Sequence, residues 1–260
     1  MPNTFFRTHR LREYLQETGE VWLFAGRFFR EVFRPPFEWK ELLQQCYLIG
    51  NKSLFLVALT GFIMGLVLDL QTRPNMIDFG AEALMPSMVG ISIVREIGPV
   101  VTALICAGKI GSSIGAELGS MKVTEQIAAM EVSGTNPFKF LVVTRMVATT
   151  LMVPLLVIMS DGVALFGAYL VEQLKGDVSF LLFFSQVFER LTYGDLVPSF
   201  IKTFFFGFAI GLIGCYKGYH AQKGTAGVGR AANSAVVVSS MLLFIIDFLA
   251  VLVADIFYTL

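Results

Sequence analysis

REIGPVVTALICAGKIGSSIGAELGSMKVTEQIAAMEVSGTNP, residues 95–137, sets a charge pair inside apolar sequence, follows it with glycine-spaced sequence, and ends in a short polar segment. A charge within a membrane is costly and is kept where it lines a cavity or meets a partner. Gly111, Gly115 and Gly119 stand four apart, beside Gly108, Ser112 and Ala116, a spacing that lets helix backbones approach closely. Residues 122–133 read as a helix in water, N-capped by Thr124 and stopped by Gly134, with Asn136-Pro137 as a turn. Taken in order, the stretch runs from the interior of a bilayer into the aqueous phase. That order makes the chain an all-α membrane protein.

Composition agrees. Of 260 residues 55% are hydrophobic and 15% charged, with a mean hydropathy of +0.69; soluble domains carry about 25% charged residues. Zero net charge argues against a nucleic-acid binder, which shows a basic excess. Cys46, Cys106 and Cys215 are odd in number and lie in or beside apolar runs, as reduced structural thiols do. The N-terminus lacks the order of a cleaved signal peptide, so insertion is expected to rely on the spans themselves.

Five apolar segments approach the roughly 20 residues that a spanning helix needs, at about 49–71, 84–109, 141–171, 196–216 and 235–257. Before them, residues 10–34 alternate apolar positions (Leu11, Tyr14, Leu15, Val21, Trp22, Phe28, Phe29) with charges at helical spacing. Such a helix lies in the plane of the interface, and Pro35-Pro36 ends it. Fifteen of the Arg and Lys residues fall in the N-terminal segment and the second and fourth connections; the first and third connections hold Arg73, Lys175 and Arg190. The positive-inside rule puts the N-terminus in the cytoplasm and the C-terminus outside. In the outer third connection, residues 180–191 are expected to form an interfacial helix N-capped by Asp177 or Ser179.

Charges inside the spans are Asp69, Arg95, Glu96, Asp161, Lys202 and Asp247. Neighbours on a helix point about 100° apart, so Arg95 and Glu96 each need a partner on another helix, and Lys202 is a candidate for Glu96. Asp161 and Asp247 read as well as plain helix-pairing groups as functional ones. The inner halves of the spans look almost free of charge, which predicts a cavity charged above, apolar below and open to the outside. Gly98-Pro99 is expected to kink the second span.

No catalytic constellation is visible. GxxxxGK[ST], HExxH, GxSxG and CxxC are absent, and His9 and His220 lie far apart. The glycine-rich connection GYHAQKGTAGVGRAANSAV, residues 218–236, lacks the P-loop order. The chain is therefore expected to catalyse nothing, bind no metal and carry no cofactor of its own. The absence of an internal repeat, and the slightness of five spans, predict that two copies enclose any translocation path.

Residues 95–132 and 218–240 closely resemble the MlaE/YrbE family of ABC-transporter permeases, through Glu-Ile-Gly-Pro-Val and Ala-Glu-Leu-Gly-Ser-Met-Lys-Val-Thr-Glu-Gln. The resemblance covers essentially the whole chain as one permease domain, with 49–258 as its transmembrane part. It implies a homodimer in the bacterial inner membrane, bound to a cytoplasmic ATPase dimer that holds the ATP and Mg. It also implies a periplasmic MCE ring, a small STAS-type cytoplasmic subunit, and phospholipid transport contributing to outer-membrane lipid asymmetry. In that picture Arg95, Glu96 and Lys202 are polar positions on the lipid cavity, and Leu68, Met76 and Phe79 form its apolar wall. The segment at about 122–134 is the coupling helix, with Thr124, Glu125, Met130, Glu131 and Gly134 facing the ATPase. Three features depart from the pattern: His220 stands where Asp is common, Lys109 where Arg is common, and the outer loop Arg73-Pro74-Asn75 is more polar than expected. Without the resemblance, an ion-coupled carrier of an amphipathic substrate using Glu96 or Asp247 as a proton site, or a non-transporting scaffold, are the alternatives.

Overall fold

The computed structural model describes the backbone of residues 3–259 and the side chains of residues 16–256. The described residues form helices and no strands: α1 Asn3–Val32, α2 Trp39–Asp78, α3 Glu82–Val123, α4 Gln126–Val132, α5 Phe138–Gly176, α6 Phe180–Arg190, α7 Tyr193–Tyr219 and α8 Thr225–Thr259. Five of them, α2, α3, α5, α7 and α8, are long and apolar enough to cross a membrane.

The five expected spans are all present, and most continue as helix beyond the apolar windows. Arg73-Pro74-Asn75 is not loop but the last turns of α2. Glu172 and Lys175 likewise belong to α5, and the glycine-rich connection shrinks to the turn at 220–224, because α8 begins at Thr225. Hydropathy marks where a helix meets lipid; backbone hydrogen bonding carries the helix on into water.

Close approach of backbones decides how the spans pack. Gly61 and Gly65 of α2 lie against α5, where a Cβ on Gly61 would come within 2.6 Å of Ser160 Oγ and 2.8 Å of the Ser160 carbonyl. Gly111, Gly115 and Gly119 of α3 lie against α7 and α8; a Cβ on Gly115 would meet the Ala232 Cα at 3.3 Å. The expected glycine ladder is thus a packing seam.

α3 is not one regular helix. It takes π-helical turns at Ile93–Ile97 and Ala107–Gly111. The first follows from Pro99, which has no amide to return to the preceding turn. Ser199 of α7 supplies the missing donor, its Oγ giving hydrogen bonds to the carbonyls of Val94 (2.6 Å) and Arg95 (3.2 Å).

The main core fills the middle of the bundle and the half nearer α4, with Phe138, Met146, Phe206 and Ile210 fully buried. A second cluster joins Met85, Val89 and Ile93 of α3 to Ala168 and Tyr169 of α5 under Phe183 and Val187 of α6. Ser179 caps α6 as expected, accepting a hydrogen bond from the Leu182 amide, while Asp177 instead closes α5 in the left-handed region (φ 51°). Phe180, Leu181 and Phe188 remain exposed along α6.

α1 packs Phe24 and Phe28 inward, and Phe24 sits edge-on to Phe138 and Tyr216. Glu20 accepts a hydrogen bond from the Tyr216 hydroxyl at 2.8 Å, and Lys217 pairs with Glu17. Trp22, Leu23, Phe29 and Phe33 face outward. The side chains of Leu11, Tyr14 and Leu15 lie outside the described residues.

Candidate functional site

The charges in the spans meet at one place. Lys202 of α7 is buried (4% exposed), and its Nζ lies 2.6 Å from Glu96 Oε2 of α3 and 2.9 Å from Asp247 Oδ1 of α8. A buried ammonium is stable only when paired, and these two carboxylates provide that pairing. Arg95 reaches Glu96 at 3.9 Å and Asp195 at 3.5 Å. Asp195 is itself fixed by a capping box, in which it accepts hydrogen bonds from the Thr192 hydroxyl (2.6 Å) and amide (3.3 Å). The π turn allows α3 to present Arg95 and Glu96 together toward α7.

Lys202 also lines a groove of about 610 Å³ between α7 and α8, with Pro198, Ile201, Phe205, Leu249 and Val253. A smaller polar recess holding Arg95, Glu96, Asp195 and Ser199 opens beside it. The arrangement offers apolar walls to a hydrocarbon chain and fixed charges of both signs to a headgroup. No chemistry of bond making is on offer, and among the described residues no group of His, Cys, Asp and Glu fits a metal.

Arg95, Glu96 and Lys202 are therefore brought together, with Glu96 on Lys202 as the sequence predicts. Asp247 proves a pairing group. Leu68 and Met76 are elsewhere within this protomer, packed on the second cluster beneath α6, and Phe79 is an exposed cap at the end of α2. Asp195 and Ser199 were missed; the Thr192-x-x-Asp195 pattern signals the cap but not the reach to Arg95. Asp69 is fully buried one helical turn before Arg73, which pairs with Glu172 at 2.8 Å. Neither oxygen of Asp69 nor Oδ1 of Asp161 finds a partner among the described residues.

The halves of the spans nearer α4, expected to be almost free of charge, hold an ion pair. Arg145 is buried on α5 and bonds Glu117 of α3 at 2.8 Å and the Leu141 carbonyl at 3.0 Å. Arg145 is among the fifteen basic residues counted as topology markers, which concealed that pair.

On the opposite side, α4 projects between α3 and α5. Thr124 does not cap it: Thr124 ends α3, with its hydroxyl bonded back to the Ser120 carbonyl. The chain then turns through Glu125 at φ 60°, and α4 starts without a side-chain cap. Its end is a Schellman motif with Gly134 at φ 82°; the Gly134 amide bonds Glu131 O and the Thr135 amide bonds Met130 O. Ile127 pins the helix to the core and Met130 packs partly beneath it. Glu125 and Glu131 point outward, and Val132, 91% exposed, is the apolar residue α4 offers to water.

The model of the family "Permease MlaE" matches residues 42–253. The chain belongs to the MlaE permease family. It is 38% identical over 240 residues to a "Probable ABC transporter permease protein" of Rickettsia felis, covering 92% of this chain and 93% of that one. It is 34% identical over 209 residues to the "Intermembrane phospholipid transport system permease protein MlaE" of Haemophilus influenzae, covering 80% of each. It is also 30% identical over 236 residues to "Protein TRIGALACTOSYLDIACYLGLYCEROL 1, chloroplastic" of Arabidopsis thaliana, covering 91% of this chain and 67% of that one. As a member of the family the chain is the multi-pass, non-catalytic membrane subunit of an ABC transporter, and ATP hydrolysis belongs to a separate ATPase partner. That membership sets aside the ion-coupled carrier.

Proposed function

We propose that this permease moves phospholipid between the inner membrane and a periplasmic MCE-protein system, as one domain working in a homodimer above two ATPase subunits. Lys202, which lines the apolar groove and pairs with Glu96 in the polar recess beside it, carries the reading, because a phospholipid needs apolar walls and fixed charge side by side. The name of the Haemophilus relative supports the substrate class. Arg95, Glu96 and Lys202 contact the headgroup. Leu68, Met76 and Phe79, outside the groove of one protomer, belong to the apolar wall of the dimer. Residues 124–134 dock into the ATPase, with Glu125 and Glu131 as polar contacts and Val132 added as the apolar one. The N-terminus is cytoplasmic and the C-terminus periplasmic, as the basic residues dictate. Lipid delivery through the ring, with a STAS-type subunit below, contributes to outer-membrane asymmetry.

The test is a proteoliposome holding the permease with its ATPase and a labelled phospholipid. ATP-dependent movement of the label to an MCE acceptor is expected. Movement that ignores ATP, or purification of the complex free of lipid, overturns the reading.

A further inference from the structure

A second groove, of about 310 Å³, lies where the end of α1, the start of α2 and α5 meet. Along α5 its wall is the stripe Lys139, Val143, Val147 and Leu151, with Thr144 beside it and Val32 and Leu42 opposite. The twelve steps from Lys139 to Leu151 span about 18 Å at the helical rise, close to one leaflet of a hydrocarbon core about 30 Å thick. The cation is at one end and apolar side chains follow. Phe37 and Trp39, both exposed, stand beside the charged end, the place aromatic residues take at a membrane interface.

The charged groups in this groove have no ion-pair partner among the described residues. Lys139 donates to the Arg34 carbonyl and lies 5.7 Å from the centre of the Phe37 ring, yet it meets no carboxylate among the described residues. Its ammonium keeps further donors. The Glu38 carboxylate lines the same groove and has no hydrogen-bond or ion-pair partner among the described residues. A lone cation and a lone anion at the mouth of an apolar furrow match a headgroup that carries a phosphate and an amine.

We propose that this groove holds one phospholipid of the leaflet that contains α1, its phosphate on Lys139, a primary-amine headgroup toward Glu38 and an acyl chain along Val143, Val147 and Leu151. The site is separate from the groove at Lys202 and needs no transport to be occupied.

The chain has two tryptophans, so Trp22→Phe leaves Trp39 as the reporter at the groove, and Trp39→Phe leaves Trp22 on α1 as a control. The permease, purified with its ATPase, is placed in choline-headgroup bilayers containing brominated phospholipid with either an amine or a glycerol headgroup. Bromine quenching of Trp39 is expected to show a roughly fivefold preference for the amine lipid over bulk composition, as one charge-assisted contact at an interface gives. Trp22 should follow bulk composition. Lys139→Gln should abolish the preference and Lys139→Arg keep it, while Glu38→Gln, which leaves the Arg34 contact untouched, should erase the distinction between amine and glycerol headgroups. Quenching of Trp39 at bulk composition, a preference for the glycerol headgroup, or a preference that survives both Gln substitutions overturns the proposal, whatever the result of the transport assay.

Discussion

Lys202 Nζ of α7 lies 2.6 Å from Glu96 Oε2 of α3, 106 positions away in the chain. The bond ties α3 to α7, one of the two walls of the apolar groove. The same ammonium reaches Asp247 of α8, so three spans share one positive charge. Removing it leaves two carboxylates facing each other in an apolar setting. Breaking a fully buried pair costs about 3–5 kcal/mol, and the partial exposure of Glu96 lowers that figure here. Lys202→Met should therefore lower the unfolding temperature of the detergent-solubilised permease by several degrees, and Lys202→Arg much less.

Ser199 stands in for the amide that Pro99 lacks. Ser199→Ala leaves the Val94 carbonyl unpaired inside the bundle, at a cost of about 1–3 kcal/mol. The π turn that aims Arg95 and Glu96 should loosen, lowering both thermal stability and lipid transfer. Ser199→Ala combined with Pro99→Ala, which restores a backbone donor, should recover stability.

Helix α4 ends at a position closed to proline. Gly134 has φ 82°, whereas proline is held near −65°, so Gly134→Pro must unwind the Schellman motif. It should uncouple ATP hydrolysis from lipid movement while membrane insertion persists. Glu131→Arg should do the same by reversing a surface charge. Val132→Asp should weaken co-purification of the ATPase at least several-fold. Paired assays of ATP turnover and lipid transfer check all three.

How much of this was legible follows from the physics of each signal. Spans are read from length and hydropathy, and a charge inside a span demands a partner; that is why Glu96 on Lys202 was foreseeable. Arg145 was hidden because basic residues near a span end look like topology markers, whereas its side chain turns inward to Glu117. Thr124 has the chemistry of an N-cap, but helix α3 does not stop before it, so its hydroxyl serves the preceding turn instead. Val132 and the bond from Ser199 to α3 depend on tertiary placement, which no local pattern encodes.

Gly61 and Gly65 form a second small-residue pair, four apart like the ladder in α3. A leucine at Gly61 has no room against Ser160. Overpacking costs about 1–3 kcal/mol, so Gly61→Leu should part α2 from α5 and reduce thermal stability. Gly162→Ala, where nothing lies within 4 Å, should leave it unchanged.

The central claim is that phospholipid passes over the Lys202–Glu96 pair. The double substitution Glu96→Gln with Lys202→Gln removes both charges while keeping hydrogen-bonding groups in place. Its ATP-dependent transfer of labelled phospholipid, measured in proteoliposomes with the ATPase bound, is the most direct measurement. The account predicts a drop of roughly tenfold or more, the loss that about 1.4 kcal/mol of interaction produces, with ATPase binding intact. Transfer at the rate of the unaltered permease would contradict it.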